Sequence, residues 1–504
     1  MSESVEVGRN DRGLLLAIVA ALVLYVVALA AGLPQESAVP HHGEHVTDAV
    51  APPLSTVAPF AILLGVIAVF PLIPQLHHWW ENNLHKFYAA AALSAVTLIY
   101  YLFVREQPVQ GHWPYPFVAS PGAAGPHVAT TLTVLANALL GEFVPFIMLL
   151  FALYVISGGI RIEGDLVGRP EVNSAFLAVG GLLASLIGTT GAAMLLIRPL
   201  LETNRERKHV AHTVVFFIFV VCNCGGCLLP IGDPPLFLGY LQGVPFLWTL
   251  GLWPEWLFVN VMLVVVYYVW DRFWAHPRET RVDTARDANE THRLRVFGLW
   301  PNAALLLGVV LSVALLDPGK PMPGTDWQPW FYLREAVQLG LVGLSLLLGR
   351  DEIRRSNKFN YGAILEVAAL FVGIFICMQP PLEILRLRGA ELGLSTPGHF
   401  FWATGGLSSV LDNAPTYLVF FEAARSLGPG NGVAIEGVAE PLLVAVSLGA
   451  VFMGAMTYIG NGPNFMVRAI AESSGVRMPN FFGYIGYSAA VLLPLLALTA
   501  WLFL

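Results

Sequence analysis

The chain has 504 residues, of which 56% are apolar and only 12% are charged, and its formal net charge is -7. Soluble globular proteins carry about 25% charged residues, so this chain lacks the polar surface that several soluble domains need. A negative balance without a long basic stretch argues against a nucleic-acid binder, and four cysteines are too few for a disulfide framework. The composition predicts an all-α polytopic membrane protein.

About eleven apolar runs are long enough for a transmembrane helix, which needs about 20 residues. In chain order they cover residues 13–33, 55–74, 87–104, 142–160, 209–229, 246–270, 296–316, 330–348, 361–378, 441–458 and 481–504. The first run is longer than the apolar core of a signal peptide, which has about 7–15 residues. We therefore expect it to be a span and not a cleaved signal.

The distribution of Lys and Arg predicts the orientation of the spans. Arginines cluster in the loop after residue 270, which contains Arg281 and Arg286, and in short loops near residues 204–208 and 350–358. The loop at 34–54 has no Lys or Arg and contains the run HHGEH, which we interpret as solvated. The pattern predicts that the N-terminus and the arginine-rich loops are cytoplasmic.

Two further segments, residues 180–201 and 400–425, do not fit as ordinary spans. The first is flanked by arginines on both sides, so both of its ends prefer the cytoplasm, and it has GTTG at its midpoint. The second has LDNAP at its centre. Both are predicted to be re-entrant helical hairpins, because unwound backbone at membrane depth is tolerated only inside protein or beside an aqueous cavity.

An internal repeat relates the two halves of the chain. Glu142 and Glu366 each open an apolar run, and the hairpins at 180 and 405 begin with GGL. IGDPPLF at 231–237 returns as IGNGPNF at 459–465, and the predicted topology makes the two copies inverted. Inverted repeats with a hairpin and a helix broken at a Gly/Pro motif are typical of secondary transporters.

The repeat divides the chain into four predicted parts. Residues 1–126 hold N-terminal helices and loops, and 271–360 hold the cytoplasmic arginine-rich loop and linking helices. The first inverted repeat covers 127–270, with its hairpin at 180–201 and its broken helix at 209–243. The second covers 361–504, with its hairpin at 400–425 and its broken helix at 441–475.

Polar residues at the hairpin tips and the breaks are the candidate ion-binding residues. Broken helices expose carbonyl groups that can ligate a cation and positive N-termini that attract an anion. Asp412 is the first choice, because a carboxylate at bilayer depth is functional by default. The other candidates are Asn413, Thr189, Thr190, Asp233, Asn461 and Asn464. A plain helix N-cap is the open alternative for Asp233 and for both asparagines of the second break. The alternative for Asp412 is a structural cap of the hairpin, and that for both threonines is a hydrogen bond back to the preceding helix turn.

Glu142 and Glu366 are candidates for a proton pathway, with a snorkelling position at the membrane interface as the alternative for both. Arg198, late in the second arm of the first hairpin, either reaches the cytoplasmic surface or meets an anionic substrate.

The segments IGTTGAAMLLIRPLLETNRERKH, VCNCGGCLLPIGDPPLF and SSVLDNAPTYLVFF resemble the bacterial sodium:proton antiporter branch of the ion transporter superfamily. That superfamily also includes citrate, dicarboxylate and arsenite carriers. The resemblance covers roughly residues 142–504 and implies an inverted-repeat protein of the bacterial inner membrane, often dimeric, that exchanges Na⁺ for H⁺. Dicarboxylate relatives have Ser-Asn-Thr at the tips, whereas this chain has Gly-Thr-Thr at 188–190 and Asp-Asn-Ala at 412–414.

The first functional hypothesis is Na⁺/H⁺ exchange by alternating access. Asp412 would bind either Na⁺ or H⁺, with Na⁺ held also by Asn413 and by oxygens of the threonines and the breaks. The second hypothesis is a Na⁺-coupled carrier of an organic anion such as citrate or a dicarboxylate, held by Asn461, Asn464, the threonines and half-helix N-termini.

An enzyme is not expected, because neither HExxH nor GxSxG occurs in the chain. No cofactor is expected besides the transported Na⁺ and H⁺. The expected partners are membrane lipid, the transported cations and a second copy of the chain, and no nucleic acid.

Overall fold

A computed structural model describes residues 3–33, 35, 50–122, 125–279, 292–430 and 432–504. The run HHGEH and the residues Arg281 and Arg286, which contributed to the predicted orientation, lie outside the described residues. The chain is predominantly helical, which agrees with the predicted all-α class.

In chain order the helices up to residue 270 are α1 (Glu3–Ala30), α2 (Ala58–Val69), α3 (Pro74–Trp80), α4 (Asn83–Phe103), α5 (Val128–Ala136), α6 (Val144–Ser157), α7 (Pro170–Ile187), α8 (Thr189–Thr203), α9 (Ala211–Val220), α10 (Pro234–Leu241) and α11 (Trp253–Trp270). The later helices are α12 (Leu299–Leu315), α13 (Leu333–Leu348), α14 (Asp351–Ser356), α15 (Gly362–Cys377), α16 (Gln379–Arg388), α17 (Pro397–Ser408), α18 (Asn413–Arg425), α19 (Glu440–Met453), α20 (Gly462–Ser473), α21 (Phe481–Tyr487) and α22 (Leu493–Phe503).

In the described part of the chain, three short antiparallel strand pairs join loops. They are β1 (Val109–Gly111) with β2 (Phe117–Ala119), β3 (Arg161–Asp165) with β4 (His292–Phe297), and β5 (Ala434–Ile435) with β6 (Val438–Ala439). The second pair ties the segment after α6 to the segment before α12, so it links two loops that are far apart in the sequence.

Among the described residues, six helices are long and apolar enough to cross a membrane, or seven if the bent pair α15 and α16 counts as one span. Four of the predicted spans correspond instead to shorter apolar helices, at Leu54–Val69, Ala211–Cys227, Leu299–Leu315 and Glu440–Met456. These findings support a multi-pass membrane protein, and the number of eleven spans stays a prediction.

The chain forms two compact units, each built from two segments. The first unit comprises Met1–Ile156 and Ala303–Leu392, and the second comprises Ser157–Asn302 and Gly393–Leu504. In the first unit α4 packs along α15, and α1 packs against α13. In the second unit α7 packs against α8, and α17 against α19.

The second unit contains both predicted hairpins as helix pairs. Only Gly188 separates α7 from α8, and its φ of 80° lies in the left-handed region that glycine adopts without strain. Residues 409–412 separate α17 from α18. The helix pairs are therefore present where they were predicted, and their re-entrant character stays a prediction.

Both predicted broken helices are also interrupted in the second unit. The first break, residues 221–233, lies between α9 and α10, and the second break, residues 454–461, lies between α19 and α20. The second arm of each helix pair packs on the half-helix after the other break, α8 on α20 and α18 on α10. This crossed packing brings both tips and both breaks to the same place.

Candidate functional site

Asp233 is the centre of the candidate site. Its side chain is buried, with 1% of the residue exposed, and its carboxylate accepts three hydrogen bonds. Thr189 Oγ1 and Asn461 Nδ2 donate to Oδ1 over 3.0 and 3.1 Å, and Asn413 Nδ2 donates to Oδ2 over 2.8 Å. All three donors are uncharged. A buried carboxylate with such partners has to be stabilised by dipoles or neutralised by a bound cation or proton.

The backbone holds each tip on its own break. The Thr189 N–H donates to the Gly232 carbonyl over 2.8 Å, and the Asn413 N–H donates to the Gly460 carbonyl over 3.2 Å. The two bonds join corresponding positions of the proposed repeat. Each tip is therefore fixed to the break of its own half, while its side chain reaches the central carboxylate.

Four helix N-termini surround this carboxylate. Thr189 and Asn413 are the first residues of α8 and α18, and Asp233 and Asn461 are the N-cap residues of α10 and α20. The N-terminus of a helix carries a positive partial charge, which stabilises a nearby anion. The four helix ends therefore offset part of the desolvation of Asp233, and they also favour the approach of an anionic ligand.

The local sequence explains why the Asp233 side chain faces the tips. Pro234 and Pro235 occupy the first two positions of α10 and have no N–H to donate. The first available N–H, that of Leu236, donates to the backbone carbonyl of Asp233 over 3.1 Å. The carboxylate makes no cap hydrogen bond to its own helix, so it is available to the side chains of the two tips.

A chain of amides connects the central carboxylate to the second break. Asn461 Nδ2 donates to Asn223 Oδ1 over 3.2 Å, and Asn223 Nδ2 donates to Asn464 Oδ1 over 2.8 Å. Asn464 Nδ2 in turn donates to the carbonyls of Gly454 and Thr457 over 2.8 and 3.0 Å. The amide chain therefore links the first break to carbonyl oxygens of the second.

One serine in each half lies against the break of that half. Ser185 Oγ donates to the Gly225 carbonyl over 2.5 Å, whereas Ser409 Oγ lies 2.8 Å from the Gly405 carbonyl of its own helix and 3.3 Å from the Met453 carbonyl. Neither serine was predicted from the sequence as a site residue. The signal is in the sequence, because the serines are 224 residues apart, the spacing that also separates Thr189 from Asn413.

Side chains of later helices also donate hydrogen bonds to carbonyls of the breaks. These side chains were not predicted from the sequence as site residues. Trp256 Nε1 and Asn260 Nδ2 on α11 donate to the Gly225 and Cys224 carbonyls over 3.0 and 3.1 Å. In the other half, Tyr484 and Ser488 donate to carbonyls at positions 455 and 456 over 2.8 and 2.7 Å. These bonds satisfy backbone groups that an interrupted helix leaves unpaired.

Asp412, the predicted first choice, has a different geometry. It is the N-cap residue of α18, part-buried, and its Oδ1 accepts a hydrogen bond from the Ala414 N–H over 3.0 Å. This is the ordinary cap arrangement. Thr190 is the second residue of α8 and is also part-buried. An ion-binding role for Asp412 or Thr190 stays a prediction, and Asp233 has the central position that the sequence analysis gave to Asp412.

Glu142 and Glu366 belong to the first unit. Glu142 is buried in a π-helical turn, and Gln379 Nε2 donates to its Oε2 over 3.2 Å. Glu366 Oε1 lies 2.6 Å from the ammonium group of Lys86, whose side chain is buried. A proton pathway through either glutamate stays a prediction.

The oxygen atoms of the site are suited to bind a hard cation as a transported ion. Among the described residues, no group of three or more His, Cys, Asp or Glu side chains could hold a metal ion. The site offers the Asp233 carboxylate and Asn413 Oδ1, which is buried without a hydrogen-bond partner in the described part of the chain. Carboxylate, amide and carbonyl oxygens are the usual ligands of hard cations.

The chain matches the sequence profile of one family. The profile, described as "Putative citrate transport", covers residues 49–504 and so includes both breaks and both helix pairs. No curated protein matches the chain at a significant level.

Proposed function

Since the chain belongs to this citrate-transport family, we propose that it is a secondary transporter that carries an organic anion of the citrate class together with a cation. One observation carries the proposal. The buried carboxylate of Asp233 lies among four helix N-termini, and its hydrogen-bond donors in the described part of the chain are uncharged side chains. The helix ends favour an anionic ligand, and the carboxylate favours a cation.

The same geometry explains why the two ligands would be coupled. An organic anion that approaches the helix ends is repelled by the charge of Asp233 as long as that charge is uncompensated. Binding of Na⁺ or H⁺ to Asp233 removes the repulsion. The anion therefore binds well only after the cation, and this order of binding couples the two fluxes.

Na⁺/H⁺ exchange is the second candidate. It is favoured by the same buried carboxylate, because a group that can bind either Na⁺ or H⁺, but not both, exchanges them by competition. The sequence analysis assigned this shared site to Asp412. In the exchange mechanism we assign it to Asp233, because the hydrogen bonds from both tips converge there.

Transport measurements in proteoliposomes distinguish the two candidates. We expect labelled citrate or another di- or tricarboxylate to accumulate when an inward Na⁺ or H⁺ gradient is applied, and no accumulation with the Asp233→Asn variant. If NaCl alone dissipates a preformed pH gradient, and no organic anion is taken up under any gradient, the anion-carrier proposal is wrong and exchange is the function. Choline chloride is the control for osmotic and leak effects.

Within this proposal the chain lies in a bacterial inner membrane with a cytoplasmic N-terminus, as an inverted repeat. The matching backbone hydrogen bonds between each tip and its break support the repeat. All four native cysteines are buried, so single cysteines added at exposed positions can report the topology. We expect Glu106→Cys to react with an impermeant maleimide from outside intact cells and Asp351→Cys not to react. Cross-linking in membranes tests the proposed homodimer.

A further inference from the structure

Two arginines lie close together at the far end of α8 from the candidate site. Arg198 is on α8, nine residues after Thr189, so it lies about 13 Å along the helix axis from the tip. Arg161 is the first residue of β3, and β3 packs against α8. The two guanidinium groups are within electrostatic range of each other.

The acidic partners nearby do not balance these charges. Arg161 Nε pairs with Glu163 Oε1 over 2.6 Å, but Glu163 also lies opposite Arg295 in the β3–β4 pair. Among the described residues, Arg198 has no carboxylate within ion-pair distance. Two guanidinium groups within electrostatic range of each other and with so little compensation repel each other, and an anion that binds to both would remove this repulsion.

An unsatisfied donor lies at the same place. Arg161 Nη1 is buried and has no hydrogen-bond partner in the described part of the chain. Buried N–H groups are almost always paired, and leaving one on a charged group unpaired is strongly unfavourable. A guanidinium group presents its N–H donors in a planar fork that fits the oxygens of a carboxylate or a phosphate.

We propose that Arg161 and Arg198 form an oxyanion-binding site at the end of α8 away from Asp233. The oxyanion is a carboxylate of the transported organic anion or a phosphate, either free or in a lipid headgroup. That the ligand is the transported anion rests on the proposed function, whereas the site itself does not. If the ligand is the transported anion, the site holds it on one side of the central site before or after translocation.

Phenylglyoxal, which reacts with accessible guanidinium groups, gives a readout at single residues. The purified protein in neutral detergent is treated with the reagent, and the modification of each arginine is measured by mass spectrometry. We expect citrate or inorganic phosphate to slow modification of Arg198 several-fold. Arg205 is the internal control, because it lies just after α8, is exposed and pairs with Glu202. Its rate is expected to stay unchanged.

Variants test the pairing of the two arginines. In Arg161→Gln, we expect that about tenfold more citrate is needed to protect Arg198, because one charge-assisted partner is lost. Arg205→Gln is the matched control and should leave the protection unchanged. Equal protection of Arg198 in wild type and Arg161→Gln, or no protection by any of the anions, would overturn the proposal.

Further protection experiments identify the source of the anion. They also distinguish failure of the arginine site from failure of the proposed function. Protection by vesicles with phosphatidylglycerol, but not by citrate or by phosphatidylcholine vesicles, identifies a lipid headgroup as the ligand of this site. Protection by citrate that persists in Asp233→Asn, in which we expect transport to be lost, shows that the arginine site is separate from the central one. Protection by phosphate in a protein that carries no organic anion leaves the site standing and removes the proposed function.

Discussion

The two breaks of the second unit have the same backbone arrangement and different charges. In each, a tip N–H donates to a glycine carbonyl, at Gly232 in the first break and at Gly460 in the second. The N-cap residue that follows is Asp233 in the first and Asn461 in the second. The matched backbone of the two breaks forms the candidate site, and the buried carboxylate of Asp233 would enable that site to bind a cation.

The largest expected effect distinguishes the two aspartates that precede α10 and α18. Asp233→Asn keeps the shape of the side chain and removes the charge, so we expect transport to fall on the order of 100-fold or more. Asn413 can turn its amide to accept a hydrogen bond from the new Nδ2, so the variant should fold. Transport into proteoliposomes and gel filtration check the two expectations.

Asp412→Asn is the matched control. Asparagine is as good an N-cap as aspartate, so transport is expected to stay within about twofold of wild type. Loss of transport in Asp412→Asn together with normal transport in Asp233→Asn would return the central role to Asp412.

The choice between these two aspartates shows what the sequence could predict. The positions of the tips and breaks followed from Gly188, from the prolines after Asp233 and from LDNAP. The orientation of the two aspartate side chains could not be predicted from the sequence, because it depends on tertiary contacts. One local signal was available, since Pro234 and Pro235 remove the first two N–H groups of the helix after Asp233, whereas Ala414 provides an N–H to Asp412.

The span count was harder to predict for a physical reason. Hydropathy does not distinguish a helix that crosses the bilayer from two half-helices that are buried in protein. The run at 209–229 is predominantly apolar, yet α9 ends at Val220 and a turn follows at Cys224–Cys227. The run at 441–458 behaves in the same way, since α19 ends at Met453. Inside the protein, side chains satisfy the freed carbonyls and make such interruptions stable.

The glycines of the two breaks test whether the shared backbone is required. A Cβ at position 232 would contact the Gly226 carbonyl, and one at 460 would lie 2.6 Å from the carbonyls of Gly454 and Ser408. We expect Gly232→Ala and Gly460→Ala each to lower the free energy of unfolding by about 2 kcal/mol. Thermal unfolding in detergent measures the change.

Gly462→Ala is the control, because a Cβ there meets no atom within 4 Å. It should leave the unfolding temperature unchanged. A stable Gly460→Ala with an unstable Gly232→Ala would show that only the half with the carboxylate needs the close approach.

Adding a second carboxylate in the other half is expected to have a smaller effect on transport. Asn461→Asp places a second carboxylate against Asp233 and removes the donor to Asn223, so like charges meet in a buried site. We expect transport to fall about tenfold at neutral pH and to recover partly at lower pH, because the two carboxylates then share a proton.

The exchanged double variant, Asp233→Asn with Asn461→Asp, restores one carboxylate on the opposite side. If the position of the charge matters less than its presence, the double variant transports better than Asp233→Asn alone. Transport no better than that of Asp233→Asn would mean that the two halves are not interchangeable.

The smallest expected effect concerns how firmly each break is held. Ser185 Oγ donates to the Gly225 carbonyl over 2.5 Å and accepts the Leu228 N–H over 3.0 Å. Ser409 Oγ lies closer to the Gly405 carbonyl of its own helix, at 2.8 Å, than to the Met453 carbonyl of the break, at 3.3 Å. Ser185→Ala should therefore lower the free energy of unfolding by about 1 kcal/mol, and Ser409→Ala by about half of that. Thermal unfolding of the two variants side by side measures the difference. Equal losses would mean that the half with the carboxylate is held no more firmly than the half with the amides.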